Sequence, residues 1–182
     1  HQSGARYSDC AILYRAHYVS RSLEDALSKN EIPFTMFSGI QFFDREEIKD
    51  ALSYLRMCIY KDDLSFRRIV NKPRRNIGKS RMEALEKKAE ENQCSLYQAL
   101  CDMVDAKEEI MNGTKAQEFI DLVNKFYAES RKTPASEVMA HIINESGYEK
   151  MLRTEGSQTR LDNLAELKQA VYNFKVSYGK EC

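Results

Sequence analysis

Glycine and proline are scarce in this chain: seven and three residues of 182. With charged residues at 31%, that scarcity favours a soluble, mainly helical protein. No apolar run approaches the roughly 20 residues of a membrane span, so no membrane partner is expected. The polar start His1-Gln2-Ser3-Gly4 carries no signal peptide and no initiator Met, and the chain is expected to be an excised or processed piece. There is no C-x-x-C spacing, and the five cysteines are odd in number. Reduced thiols in the cytoplasm follow from compartment rules. The three histidines are scattered, which leaves no zinc-ligand spacing and no metal site. An excess charge of either sign is also missing, with 28 basic and 28 acidic residues. The whole surface is therefore no general binder of polyanions, and any nucleic-acid contact must be local.

One local imbalance is present. From Leu64 to Met82 there are seven basic residues and no acid: Arg67, Arg68, Lys72, Arg74, Arg75, Lys79 and Arg81. They surround the run Lys72-Pro73-Arg74-Arg75-Asn76-Ile77-Gly78. Pro73 ends the preceding helix, and Asn76 is among the few residues that tolerate a left-handed backbone. Ile77 can bury as an anchor. Gly78 permits close backbone approach and opens the next helix, whose first amides and dipole favour an anion. The cations and free amides are expected on one face, a helix-hairpin-helix-like grip on phosphate without base reading. From the residues alone, an ordinary solvated basic turn stands beside that reading.

Gly78-Lys79-Ser80 imitates the end of a G-x-x-x-x-G-K-[ST] phosphate loop. Position 73 would have to be glycine and is Pro73, and the preceding segment is helical rather than a strand. ATP binding there is excluded on that ground, and no other glycine precedes a Lys-Ser or Lys-Thr pair.

The remaining pattern divides the chain. Cys10 to Tyr14 reads as a buried strand, residues 19–29 as a helix through Val19, Leu23, Ala26 and Leu27, and Pro33 to Phe37 as a second strand. This βαβ fragment needs further strands, so residues 1–40 are expected to belong to a larger α/β domain. Residues 41–182 read as helices. Asp44 with Glu47 has capping-box spacing, Asp62 and Asp63 can cap the next helix, Ser95 with Gln98 another, and Thr133-Pro134 a fourth. Apolar stripes such as Ile48, Ala51, Leu52, Leu55 and Ile59, or Leu161, Leu164, Leu167, Val171, Phe174 and Tyr178, are core rather than a cofactor box. A second candidate site is Tyr14-Arg15-Ala16-His17 after the first strand, where sheet ligands gather. Arg15 suits a phosphate and His17 a base, or both are plain loop residues.

At these residues the chain resembles the UvrD/PcrA/Rep family of superfamily 1 DNA helicases. Ala11-Ile12-Leu13-Tyr14-Arg15 with Ser20-Arg21-Ser22-Leu23-Glu24 is similar to the family's A-[IV]-L-Y-R-x-N-x-x-S-R-x-L-E segment. Ile32-Pro33-Phe34, and then Gly39 to Asp50, are similar to its I-P-Y and G-G-x-x-F-[FY]-[ED]-R-x-E-I-K-D run. Asn71 to Gly78 is similar to its N-x-P-x-R-G-I-G hairpin. Ser146-Gly147-Tyr148 and Arg160-Leu161-Asp162-Asn163-Leu164 are similar to its S-G-Y and R-[LI]-[ED]-N-L.

The resemblance implies that residues 1–40 begin the second RecA-like subdomain (2A) and that residues 41–182 form the helical 2B subdomain. It implies Arg15 and His17 as contacts to single-stranded DNA, and Arg74, Arg75, Asn76, Ile77, Gly78 and Lys79 as contacts to duplex. The parent would be an ATP-dependent 3′-to-5′ helicase using ATP and Mg2+. This piece holds no catalytic residue or cofactor and is expected to be inactive alone. Its partners would be DNA at a single-strand/duplex junction, the other helicase subdomains and repair proteins. A protein-interaction module and a part of a helicase–nuclease are the alternatives. Two departures stand out: His17 where Asn is usual, and Asn76 where the hairpin has its first glycine.

Overall fold

From residue 46 onward apolar side chains recur every three or four positions, and the chain coils to bury them on one side. In the computed structural model, which describes residues 6–15, 19–36 and 41–178, the helices are α1 (Ser20–Lys29), α2 (Glu46–Tyr60), α3 (Asp63–Ile69), α4 (Lys79–Asn92), α5 (Leu96–Asp105), α6 (Ala116–Ser130), α7 (Ala135–Glu145), α8 (Tyr148–Thr154) and α9 (Gln158–Tyr178). Single 3-10 turns lie at Tyr7–Asp9, Phe42–Asp44 and Glu109–Met111.

Helix α2 is central and packs against α3, α6, α7 and α9, while α4 pairs with α5, which in turn packs against α3 and α6. One contiguous core results, in which Ile48, Tyr54, Phe66, Phe119 and Phe126 are at most 1% exposed. Phe66 and Phe119 meet edge to face at 5.9 Å, an arrangement aromatic rings favour. Burial of each such side chain contributes about 2 kcal/mol. Ile59 of the α2 stripe is 41% exposed, and Tyr127, which follows the buried Phe119, Ile120, Val123 and Phe126 of α6, is 37% exposed. Both lie at the edge of their helix's buried face. The side chains of Phe174 and Tyr178 lie outside the described residues.

The caps follow the sequence in part. Asp62 caps α3 by accepting from the Ser65 amide at 3.0 Å, and Ser95 caps α5 through the Gln98 amide at 3.2 Å. Asp63 accepts from the Leu96 amide at 2.9 Å and so ties the start of α5 to α3. Asp44 does not cap α2. It sits in the 3-10 turn and pairs with Lys49 at 2.8 Å, and Arg45 takes the N-cap position. Glu46 and Glu47 in the first turn offset the missing cap through the helix dipole. At α7 the N-cap is Pro134 rather than Thr133.

The mainly helical expectation holds; the βαβ expectation finds no ladder. Among the described residues there is no strand, and Cys10 to Tyr14 and residues 33–36 are non-helical backbone without strand partners. Residue 37, the end of the second expected strand, lies outside the described set together with residues 38–40. The physical reason is that a strand exists only against another strand. Helix α1 does form, and polar groups tie it to the bundle. Arg21 pairs with Glu166 at 2.7 Å, Ser20 accepts from Arg45 at 2.7 Å, and Glu24 accepts from the Phe42 amide at 3.2 Å.

Candidate nucleic-acid interface

Residues 70–78 turn the chain between α3 and α4, and Asn71 organises the turn. Its Oδ1 accepts from the amides of Arg75 at 2.7 Å and Ile77 at 3.2 Å, as Asn side chains do in place of backbone. Helix α3 stops at Ile69, ahead of the cis Lys72–Pro73 peptide. Asn76 has φ 59°, the left-handed region expected for it, and its Nδ2 donates to the Gly113 carbonyl at 3.0 Å. Ile77 is the buried anchor, 2% exposed.

Gly78 is the N-cap of α4 and has φ −86°, with no side chain capping the helix. The amides of Lys79, Ser80 and Arg81 therefore have no acceptor among the described residues, as first-turn amides do unless something caps them. A Cβ at position 78 would meet no atom within 4 Å. Neither the backbone nor a neighbouring side chain demands glycine there.

The seven cations do not share one face, contrary to the expectation. Arg67 pairs with Glu86 of α4. Arg68 and Lys72 both reach Asp50 of α2, at 2.9 Å each, and Lys72 also reaches Glu46 at 2.7 Å. Asp50 is 1% exposed and accepts in addition from the Tyr148 hydroxyl at 2.9 Å. Burial pushes the Tyr148 phenol up, and the Asp50 charge adds to that. Partial burial works against the Lys72 charge, but hydrogen bonds to Glu46 and Asp50 outweigh it and hold the amine above its ordinary 10.5. The Lys72 hydrogen bond in turn holds Glu46 below the usual glutamate range.

Arg75 is turned inward and is 5% exposed. Its Nη1 donates to the carbonyls of Ile69 at 3.1 Å and Lys72 at 3.1 Å, and its Nη2 to Ser146 O at 3.3 Å and to the Tyr54 hydroxyl at 3.2 Å. The guanidinium lies 5.0 Å from the Phe119 ring centre. The Tyr54 hydroxyl in turn donates a hydrogen bond to the Lys72 carbonyl. Burial raises the Tyr54 phenol and the Arg75 charge opposes the rise, so the neutral donor form is kept. Arg75 thus holds the turn rather than facing solvent.

What remains outward is Arg74, exposed and without an ion-pair partner among the described residues, and Lys79, whose side chain is 92% exposed with Glu83 at 3.9 Å. Arg15 is exposed too, but lines neither groove beside the turn. His17 lies outside the described residues. The structure thus gathers Arg74, Asn76, Gly78 and Lys79, buries Arg75 and Ile77 beneath them, and leaves Arg15 apart. Reading the sequence missed Asn71, whose amide oxygen the family motif does contain. It also missed the loop around Asn112 and Gly113, although Asn-Gly is a turn signature.

Among the described residues no cluster of His, Cys, Asp or Glu could hold a metal, and no helix is long and apolar enough to cross a membrane. Burial pushes the Cys58 thiol up to about 12.

Residues 1–180 match the model of the UvrD-like helicase C-terminal domain. DNA helicase II of Escherichia coli K12 is 36% identical over 184 residues, covering 98% of this chain and 25% of that protein. ATP-dependent DNA helicase PcrA of Staphylococcus epidermidis is 39% identical over 171 residues, covering 91% of this chain and 23% of that protein. PcrA of Staphylococcus aureus is 36% identical over the same length. The chain spans about a quarter of the length of the curated relatives it matches.

Proposed function

The chain belongs to the UvrD-like helicase C-terminal domain family, and from that premise we propose that it is part of an ATP-dependent 3′-to-5′ DNA helicase. Residues 41–182 are its 2B subdomain, and the α3–α4 turn, a helix-hairpin-helix-like element, holds the duplex backbone ahead of the unwinding point. One observation carries this reading. Two outward cations, Arg74 and Lys79, flank three unpaired helix-start amides beside an open glycine. Such a set neutralises phosphate and reads no base. The relatives' names supply the ATP dependence and the substrate class.

Residues 1–40 are, on this reading, the start of the 2A subdomain. The exposure of Ile12 and Leu13, 56% and 94%, supports it, because apolar strand residues seek a sheet to cover them. Arg15 then serves the single strand. ATP and Mg2+ are held by motifs of the parent outside these residues, and this chain alone hydrolyses no ATP.

Fluorescence anisotropy with short duplexes of unrelated sequence tests the grip. Similar affinities for all sequences are expected, falling steeply with salt. Arg74→Ala and Lys79→Ala should each reduce the slope of log K against log salt by about 0.9. Unchanged slopes in both variants would remove the turn from the interface.

A second reading, a docking surface for a repair protein, is favoured by one feature. Ile59, Tyr60 and Leu64 are 41%, 68% and 81% exposed where α2 meets α3, at the end of α3 away from the turn. Retrieval of a protein from nuclease-treated lysate that Leu64→Glu abolishes, with no duplex binding, is the result that would favour it.

A further inference from the structure

The geometry points to a two-walled site: the loop Glu109–Lys115 is the second wall of the groove that takes a phosphodiester of the duplex, and Arg81 is the positioning residue that sets it there. This inference rests on the proposed duplex grip. The loop is about 35 residues from the turn in sequence, yet it is hydrogen-bonded to it repeatedly. The Lys115 amide donates to the Arg75 carbonyl at 3.0 Å, and Asn76 Nδ2 to the Gly113 carbonyl at 3.0 Å. Arg81 spans both walls. Its Nη1 donates to Asn76 O at 2.6 Å, its Nε to Ile110 O at 2.6 Å and its Nη2 to Asn112 O at 3.0 Å. Met111, 7% exposed, pins the loop from beneath.

The groove between the walls is lined by Asn71, Arg74, Asn76, Gly78, Asn112 and Gly113 together with Arg81, and no acidic residue lines it. The groove on the other side of Arg74 differs, because Glu118, Glu145 and Glu155 line it among its lysines. An anion therefore meets only cations and amides in the first, whereas in the second three carboxylates offset most of the charge of Arg74, Arg75, Lys115 and Lys150. Each of the three nitrogens of Arg81 donates to a carbonyl, which is neutral, so its positive charge stays in the groove while its fork is anchored to the backbone. Gly113, at φ 71°, presents no side chain, and the exposed Asn112 side chain has no partner among the described residues.

Duplex binding by the 182-residue chain tests this with two variants. Asn112→Asp places a carboxylate on an exposed loop in the acid-free groove and should weaken binding about tenfold with unchanged thermal unfolding. Arg81→Lys keeps the charge but loses the fork. It should weaken binding about fivefold with the salt slope of the unaltered chain retained, since no phosphate contact is lost. A cysteine placed by Asn112→Cys should be shielded from alkylation by saturating duplex, and the shielding should be lost when Arg81→Lys is added. Full affinity in Asn112→Asp overturns the second wall. Full affinity in Arg81→Lys, or a reduced slope, overturns the positioning role. A duplex that binds and responds to Lys79→Ala while ignoring position 112 leaves the grip standing and sinks only this inference. No binding by the unaltered chain sinks the grip itself.

Discussion

Arg75 and Lys79 stand four positions apart in one basic run and have opposite fates. The Arg75 guanidinium is closed in by carbonyls, a phenol and a phenyl ring, and the Lys79 amine is in water. Removal of a buried charge leaves its acceptors unpaired. Arg75→Ala should therefore lower the unfolding free energy by about 3 kcal/mol in urea titrations, and Arg75→Lys should recover little, because an ammonium cannot span the same set. Lys79→Ala should leave the urea midpoint where it is. Equal stability in the two alanine variants would contradict the assignment of Arg75 as the internal brace. Nothing in the sequence separates the two residues, since both are cations in one basic run. What separates them is which side of the backbone each leaves.

At the scale of elements, α4 begins without a side-chain cap, and its N-cap Gly78 has an ordinary negative φ and open space where a Cβ would go. Gly78→Ala should fold normally, with stability within about 0.5 kcal/mol of the parent, and, on the proposed grip, should bind duplex more weakly because the added methyl would lie between phosphate and the amides. Retention of full affinity in Gly78→Ala would show that the backbone there never approaches DNA. Helix positions were legible from apolar spacing, and Asp62 and Ser95 were legible as caps. Asp44 and Thr133 were not, since each helix starts a residue later than the local chemistry suggests. At α2 the Asp44 carboxylate has Lys49 to pair with. The two expected strands fail for a different reason: an apolar run becomes a strand only against a partner strand, and none stands beside either run among the described residues.

In the whole molecule, the acids missing between Leu64 and Met82 come back from other helices: Glu46 and Asp50 from α2, Glu86 from α4. The charge left facing outward is therefore much smaller than the sequence run suggests. These pairings also set the pH response. The Lys72 hydrogen bond lowers Glu46, and the Lys168 hydrogen bond lowers Glu149, each from an ordinary value of 4.5. A lowered carboxylate supports the fold above its ordinary value and loses that support as pH falls through the lowered one. Lys72, raised above 10.5, supports the fold below that value and loses the support as pH rises through its raised one. Unfolding free energy measured in urea should thus be flat through neutrality and decline below about pH 4.5. The decline should be shallower in Glu46→Gln. An identical acid limb in that variant would show that the Glu46–Lys72 pair adds nothing.

The sequence by itself determined that the chain is helical, where its core faces lie, that the turn after α3 suits a left-handed Asn76 and a buried Ile77, and that Gly78-Lys79-Ser80 lacks the first glycine of a phosphate loop. Those are local matters of spacing, backbone tolerance and side-chain type. Only the tertiary structure decided which cations stay free, that Arg75 donates to carbonyls and a phenol and Arg81 to carbonyls, and that Asn112 and Gly113 stand opposite Asn76. Those outcomes depend on which helices pack together, because a charge is neutralised by whatever lies near it in space, however far away in the chain.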